Sequence, residues 1–203
     1  MASNTSAPFG FQQRSGTGSS PTYEMTEQGN GGIDYNTGAI YFGDPVQRVG
    51  SGDGTIQQGA NGQTTPMAGV FIGCKYLSTS QKKTTWSNYW PGSDVTSANQ
   101  SSISAWIVND PNAQFLVQSD STGVVQADVG ANNDYQIGTG TAANGFSGAY
   151  LVHGGATTST KPWRLVSLIL DPPGSPGSAT GAYNWCVVAF NNVETKSLTA
   201  NNT

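Results

Sequence analysis

The chain holds one histidine, His153, and any Ser-His-Asp hydrolase built on it would have to use that ring. It sits in Leu151-Val-His-Gly-Gly155, at the end of an apolar run, which reads as a strand-end or edge histidine. No G-x-S-x-G nucleophile elbow accompanies it; Gly145-Phe-Ser-Gly148 is the nearest stretch and does not match. A glycosidase would need two carboxylates facing each other across a cleft. The acids are three glutamates, Glu24, Glu27 and Glu194, and nine aspartates. Asp44-Pro45, Asp53-Gly54, Asp110-Pro111 and Asp171-Pro172 are turn pairs, so these carboxylates are expected to bond local backbone. Gly50-Ser-Gly-Asp-Gly54 lacks the Gly-Lys-Ser/Thr ending of a phosphate loop. Thr55 also stands where a dinucleotide fingerprint needs glycine, so a hairpin loop is expected instead. Cys74, Cys186 and His153 supply no C-x-x-C or H-x-x-x-H set for zinc, and no cofactor is expected.

The remaining chemistry lies in Lys75, Lys82 and Lys83 with Trp86, Tyr89 and Trp90. Aromatic rings among cations can stack bases or sugars. The competing expectation is a structured loop whose rings pack on a sheet and which ends at Trp90-Pro91-Gly92. A net charge of −4 opposes nucleic acid as a partner, since phosphate is repelled by an acidic chain without a strong basic patch.

The elements that must position these groups follow from composition and punctuation. Only 10% of the 203 residues are charged, against ~25% in an ordinary soluble domain. The 27 glycines make about 13% of the chain, roughly twice the usual share. Coiled coils, helical bundles and basic nucleic-acid binders all require charge or leucine that this chain lacks. No run of 18 apolar residues exists to form a membrane helix. The first residues lack the basic and apolar regions of a secretory signal, so synthesis and retention in a cytosol are expected, with both cysteines as free buried thiols.

Apolar runs of strand length alternate with turn clusters, predicting strands near Ile40–Phe42, Val46–Val49, Met67–Leu77, Ile103–Val108, Gln114–Gln118, Gly148–Val152, Trp163–Leu170 and Tyr183–Phe190. A short helical turn is expected at Gln126–Val129, stopped by Gly130. The fold class is all-β, a β-barrel or β-sandwich with an extended N-terminal arm and long loops. Residues 1–20 form a flexible arm, 21–190 one β-rich domain and 191–203 a polar tail. Two strands are apolar on both faces. Trp163, Leu165 and Ile169 oppose Val166, Leu168 and Leu170; Tyr183, Trp185 and Val187 oppose Cys186, Val188 and Phe190. A strand with one wet face should alternate. The second face therefore needs a cover: another sheet, the arm, or a neighbouring subunit.

Several stretches, in order, give the chain a resemblance to small virion head proteins of tailed bacteriophages. They are Ala7-Pro-Phe-Gly-Phe11, Phe42-Gly-Asp-Pro-Val46, Gly69-Val-Phe-Ile-Gly-Cys-Lys-Tyr76 and Tyr89-Trp-Pro-Gly92. Ala105-Trp-Ile-Val-Asn-Asp-Pro-Asn-Ala-Gln-Phe115, Asp128-Val-Gly130, Phe146-Ser-Gly148, Trp163-Arg-Leu165 and Trp185-Cys-Val-Val-Ala-Phe-Asn-Asn192 complete the set, over about residues 7–192. The chain departs from that pattern in its Ser/Thr/Gln-rich stretch between Gly50 and Thr65, in Gln81-Lys-Lys83 and in its Asn-rich tail. The resemblance implies a non-enzymatic protein that decorates and cements the capsid shell, often as a trimer, with no catalytic residues. Its implied partners are the major capsid protein and its own copies, with neither nucleic acid nor membrane, in a virion assembled in the host cytoplasm. Candidate assembly contacts are Phe9 and Phe11 of the arm with Trp86, Tyr89 and Trp90. The alternative is a carbohydrate- or receptor-binding module of a tail spike or fibre, with the last three rings as its platform.

Overall fold

The computed structural model describes residues 4–17, 32–50, 54–154 and 159–196, and the backbone of 24–26. Among these the chain is all-β, with twelve strands in two antiparallel sheets. The first sheet runs β1(Gln12–Ser15), β8(Gln114–Gln118), β12(Trp185–Phe190), β11(Trp163–Leu168), β9(Asn132–Gln136), β10(Tyr150–Val152). A parallel bridge from Ser119, just past β8, to Leu151 of β10 curls this sheet back towards itself. The second sheet runs β2(Glu24–Thr26), β7(Ser104–Val108), β5(Gly69–Leu77), β3(Pro45–Arg48), β4(Ile56–Gln58). The short strand β6(Thr84–Ser87) pairs the far half of β5.

Side-chain alternation on β5, reset by a bulge between Phe71 and Gly73, explains the layering. Val70 turns to the first sheet and joins Phe115, Tyr135, Leu151, Trp163 and Phe190 in one core. Phe71, Cys74 and Tyr76 turn the other way into a second core. Among the described residues no third sheet covers that side. Ile33, Ile40, Trp90, Val95 and Ile103 do, from segments otherwise poor in regular structure. The expected strand at Ile40–Phe42 is reduced to single bridges, Ile40 with Trp90 and Phe42 with Phe146. Gln126–Asp128 is a 3-10 turn followed by Gly130, as the sequence predicts.

The doubly apolar strands are half corrected. On β12, Cys186, Val188 and Phe190 enter the core and Trp185 lies outside it. On β11 a bulge between Leu165 and Ser167 adds a residue and resets the alternation. Leu168 therefore packs against the same core as Trp163 and Leu165, not on the opposite face. Part of the outer face is covered within the chain. Phe9 meets Trp185 edge-on at 5.1 Å, and a Cβ at Gly177 would lie 2.1 Å from Trp185 Cγ, so that backbone presses on the indole.

The arm is a docked segment over residues 4–17. Asn4 Nδ2 donates to the Ala179 and Ala182 carbonyls, and Ala7 N–H donates to Gln118 Oε1. Gly10 carries φ +77°, and a Cβ there would come within 2.7 Å of Ser147 Cβ. Glycine thus lets the chain turn inward and insert Phe11, which stacks on Trp163 at 4.3 Å and 9°. The tail is likewise held at its start: Val193 is buried, Met67 bridges it, and Glu194 pairs with Arg48 at 3.2 Å. Residues 1–3, 18–20 and 197–203 of the expected arm and tail lie outside the described residues.

Candidate functional site

His153 is a structural histidine in its contacts. Its backbone N–H donates to Asp120 Oδ2 at 3.1 Å, and its Nε2 lies 3.3 Å from Asp128 Oδ2. Asp128 also accepts the Val125 N–H at 2.8 Å, and Asp120 accepts those of Thr122 and Gly123. Both carboxylates are therefore engaged in shaping turns, and among the described residues no hydroxyl hydrogen-bonds to the imidazole. Asp34 and Asp110 follow the same local pattern, accepting the N–H of Asn36 and Asn112 two residues on.

Asp44 departs from it. Asp44 itself is only 1% exposed, and its carboxylate ties three segments together. Oδ1 accepts the Ser147 hydroxyl; Oδ2 accepts the Tyr41 N–H and Gln58 Nε2, each at 2.8 Å. Burial raises its pKa, and those three hydrogen bonds lower it without cancelling the rise.

Gly50 and Gly54 flank the β3–β4 turn, where Val49 N–H donates to the Thr55 carbonyl at 2.9 Å. The two strands pair antiparallel from Val46 with Gln58 to Arg48 with Ile56, so the loop is a hairpin; residues 51–53 lie outside the described residues. Among the described residues no three His, Cys, Asp or Glu side chains converge to hold a metal, and no helix is long and apolar enough to cross a membrane.

Both cysteines are free and buried. Burial raises both thiols, Cys186 to about 12. Native protein is expected to react with a thiol-specific disulfide reagent far more slowly than unfolded protein, which should titrate two thiols. Stoichiometric labelling of the native chain within seconds would contradict this.

A cleft of about 640 Å³ lies between arm residues Asn4–Ala7 and the 173–180 loop, over Gln118 and Trp185. Among the described residues no titratable side chain lines it. The Gln118 amide is also occupied: its Oε1 accepts from Ala7, and its Nε2 donates to the Thr5 and Tyr183 carbonyls.

The candidate contact residues separate sharply. Phe11 (1% exposed) and Trp90 (0%) lie inside the chain's own cores and offer no surface to a partner, which corrects their assignment as contacts. Two rings of the expected Trp86, Tyr89, Trp90 platform thus point elsewhere: Trp90 packs edge-on with Tyr76, and Tyr89 stacks with Tyr41 at 5.7 Å. Phe9 is half-buried on Trp185. Trp86 is exposed, and its partner is Trp106, stacked at 5.0 Å and 24°. Trp106 escapes a reading along the chain because it sits inside a strand of ordinary core character. Pairing brings it in: Trp106 is opposite Gly73 of β5, and Lys75 of β5 is opposite Trp86 of β6. The central strand thus sets a glycine beside Trp106 and a lysine beside Trp86. Lys75 Nζ lies 5.7 Å from the Trp86 ring centre, within cation–π range.

No protein-family model, curated protein or solved structure matches the chain.

Proposed function

We propose that the chain is a non-enzymatic virion protein of tailed phages that decorates and stabilises the capsid shell as a homotrimer on its outer surface. The supporting observation is the outer face of the first sheet. Leu116, Ile169 and Trp185 with Arg14 still line an open groove of about 300 Å³ beside the edge strand β1 after the arm has docked. An apolar sheet face next to an edge strand suits burial against another copy or the shell. A chain of low charge density can also be crowded in many copies, each contact gaining from multiplicity. Sedimentation of the purified protein should give three times the 21.1 kDa chain mass. The trimer interface should exceed ~2,000 Å², as obligate interfaces do. Shells assembled without the protein should burst at lower temperature. A stable monomer at micromolar concentration would overturn the trimer reading.

The second reading, a carbohydrate- or receptor-binding module of a tail spike or fibre, is favoured by one observation: Trp86 is 66% exposed.

A further inference from the structure

Tyr183 carries φ +58°, in the left-handed region that bulky side chains seldom occupy. Two hydrogen bonds hold it there: its N–H donates to the Asp120 carbonyl at 2.9 Å, and its carbonyl accepts Gln118 Nε2 at 3.1 Å. Strain of this kind is costly and concentrates at ligand clamps. Here it borders a pocket of about 180 Å³, walled by Tyr150 and Tyr183, by Asp120 and Ser121, and by Ser6 and Pro8 of the docked arm. That is below the ~300–1,000 Å³ of drug-sized sites and suits one small group. Among the described residues no Lys, Arg or His side chain lines the pocket or pairs with Asp120. Three backbone N–H groups orient its carboxylate, those of Thr122 and Gly123 on Oδ1 and that of His153 on Oδ2. These donors are neutral, so they fix the charge in place without cancelling it. A carboxylate has about four acceptor positions, which leaves capacity for one more donor.

We propose that this pocket binds the cationic head of an alkylammonium or guanidinium group, such as the end of a lysine or arginine side chain. Asp120 supplies the counter-charge. Tyrosine rings attract cations, and their hydroxyl oxygens accept N–H donors. An anionic ligand would be repelled by the same carboxylate. The site shares no lining residue with the groove beside β1 and does not rest on the shell-decorating role.

The isotope-labelled full chain is titrated with the N-acetyl amides of lysine and arginine, with putrescine, and with the N-acetyl amide of norleucine as the uncharged control. Amide NMR shifts that saturate at millimolar concentration are expected at Asp120, Ser121 and Tyr183 for at least one cation, and none for norleucine. A stronger response to the amino-acid amides assigns the group to a protein side chain, and a stronger one to putrescine assigns it to a free polyamine. Tyr183→Asn installs a residue that tolerates left-handed backbone. It should weaken binding about fivefold or more, the scale of a lost cation–ring contact, while the melting temperature stays level or rises. Shifts scattered over the surface, or equal shifts with norleucine, overturn the site, as does undiminished binding in Tyr183→Asn. A melting temperature lowered by more than about 5 °C in that variant would make the strained ring a structural prop and overturn the proposal.

Discussion

Phe11→Ala is expected to cost about 3–5 kcal/mol of unfolding free energy, the range for removing a buried aromatic ring. That is a large share of the ~5–15 kcal/mol that holds a domain together. The ring is the middle of nothing local: it stacks on Trp163, which stacks in turn on Phe190 at 4.9 Å, and it meets Tyr135 edge-on at 6.3 Å. Truncation leaves a void beside a rigid indole that cannot collapse into it. Phe9→Ala, which removes a half-buried edge contact to Trp185, should cost about 1 kcal/mol. Urea titration of both variants checks the contrast, and hydrogen exchange shows whether residues 4–15 open first in Phe11→Ala. Equal, small losses would place Phe11 outside the core.

Removing the Asp44 side chain should be comparably severe. Asp44→Ala strands the Ser147 hydroxyl, the Tyr41 N–H and the Gln58 amide in a buried site. Each orphaned group costs about 1–3 kcal/mol. Asp44→Asn keeps the shape and removes the charge, which isolates the pH dependence. Burial raises the folded pKa of Asp44 above its unfolded value, so the folded state takes up the proton at the higher pH. The stabilising contribution is full below the ordinary carboxylate value of ~3.9 and is lost as pH rises through the raised value. The stability of the wild type relative to Asp44→Asn should therefore fall with rising pH over that window and be flat above it. Urea unfolding of both proteins from pH 4 to 8 measures this; a difference that grows with pH would reverse the sign and refute the account.

How much was legible in the sequence depended on whether a feature is local. Turns announced themselves through Asp-Pro, Asp-Gly and Gly clusters, and strands such as Gln114–Gln118 through unbroken apolar runs. Strands β1, β4, β6 and β9 were silent: Gln12–Ser15, Ile56–Gln58, Thr84–Ser87 and Asn132–Gln136 are largely polar and become strands through their partners. The β11 bulge reassigned Leu168 because periodicity assumes an unbroken alternation. Phe11 looked like an element of a free arm because its neighbours are small and polar, while its partners lie some 150 residues away. The aromatic face was half legible. Trp86 stood out among lysines, but Trp106 joins it only through the register of three strands.

The seating of Phe11 also fixes an order in time. β1 pairs with β8, β8 with β12, and the pocket for Phe11 is completed by Trp163 with Phe190 behind it. A ribosome adding about 5–20 residues per second releases the first strand many seconds before its last supporting strand exists. The beginning of the chain is thus made first and housed last. Through that interval, the apolar surface that will receive it is either unmade or open, which sets the period when nascent chains are most exposed to one another.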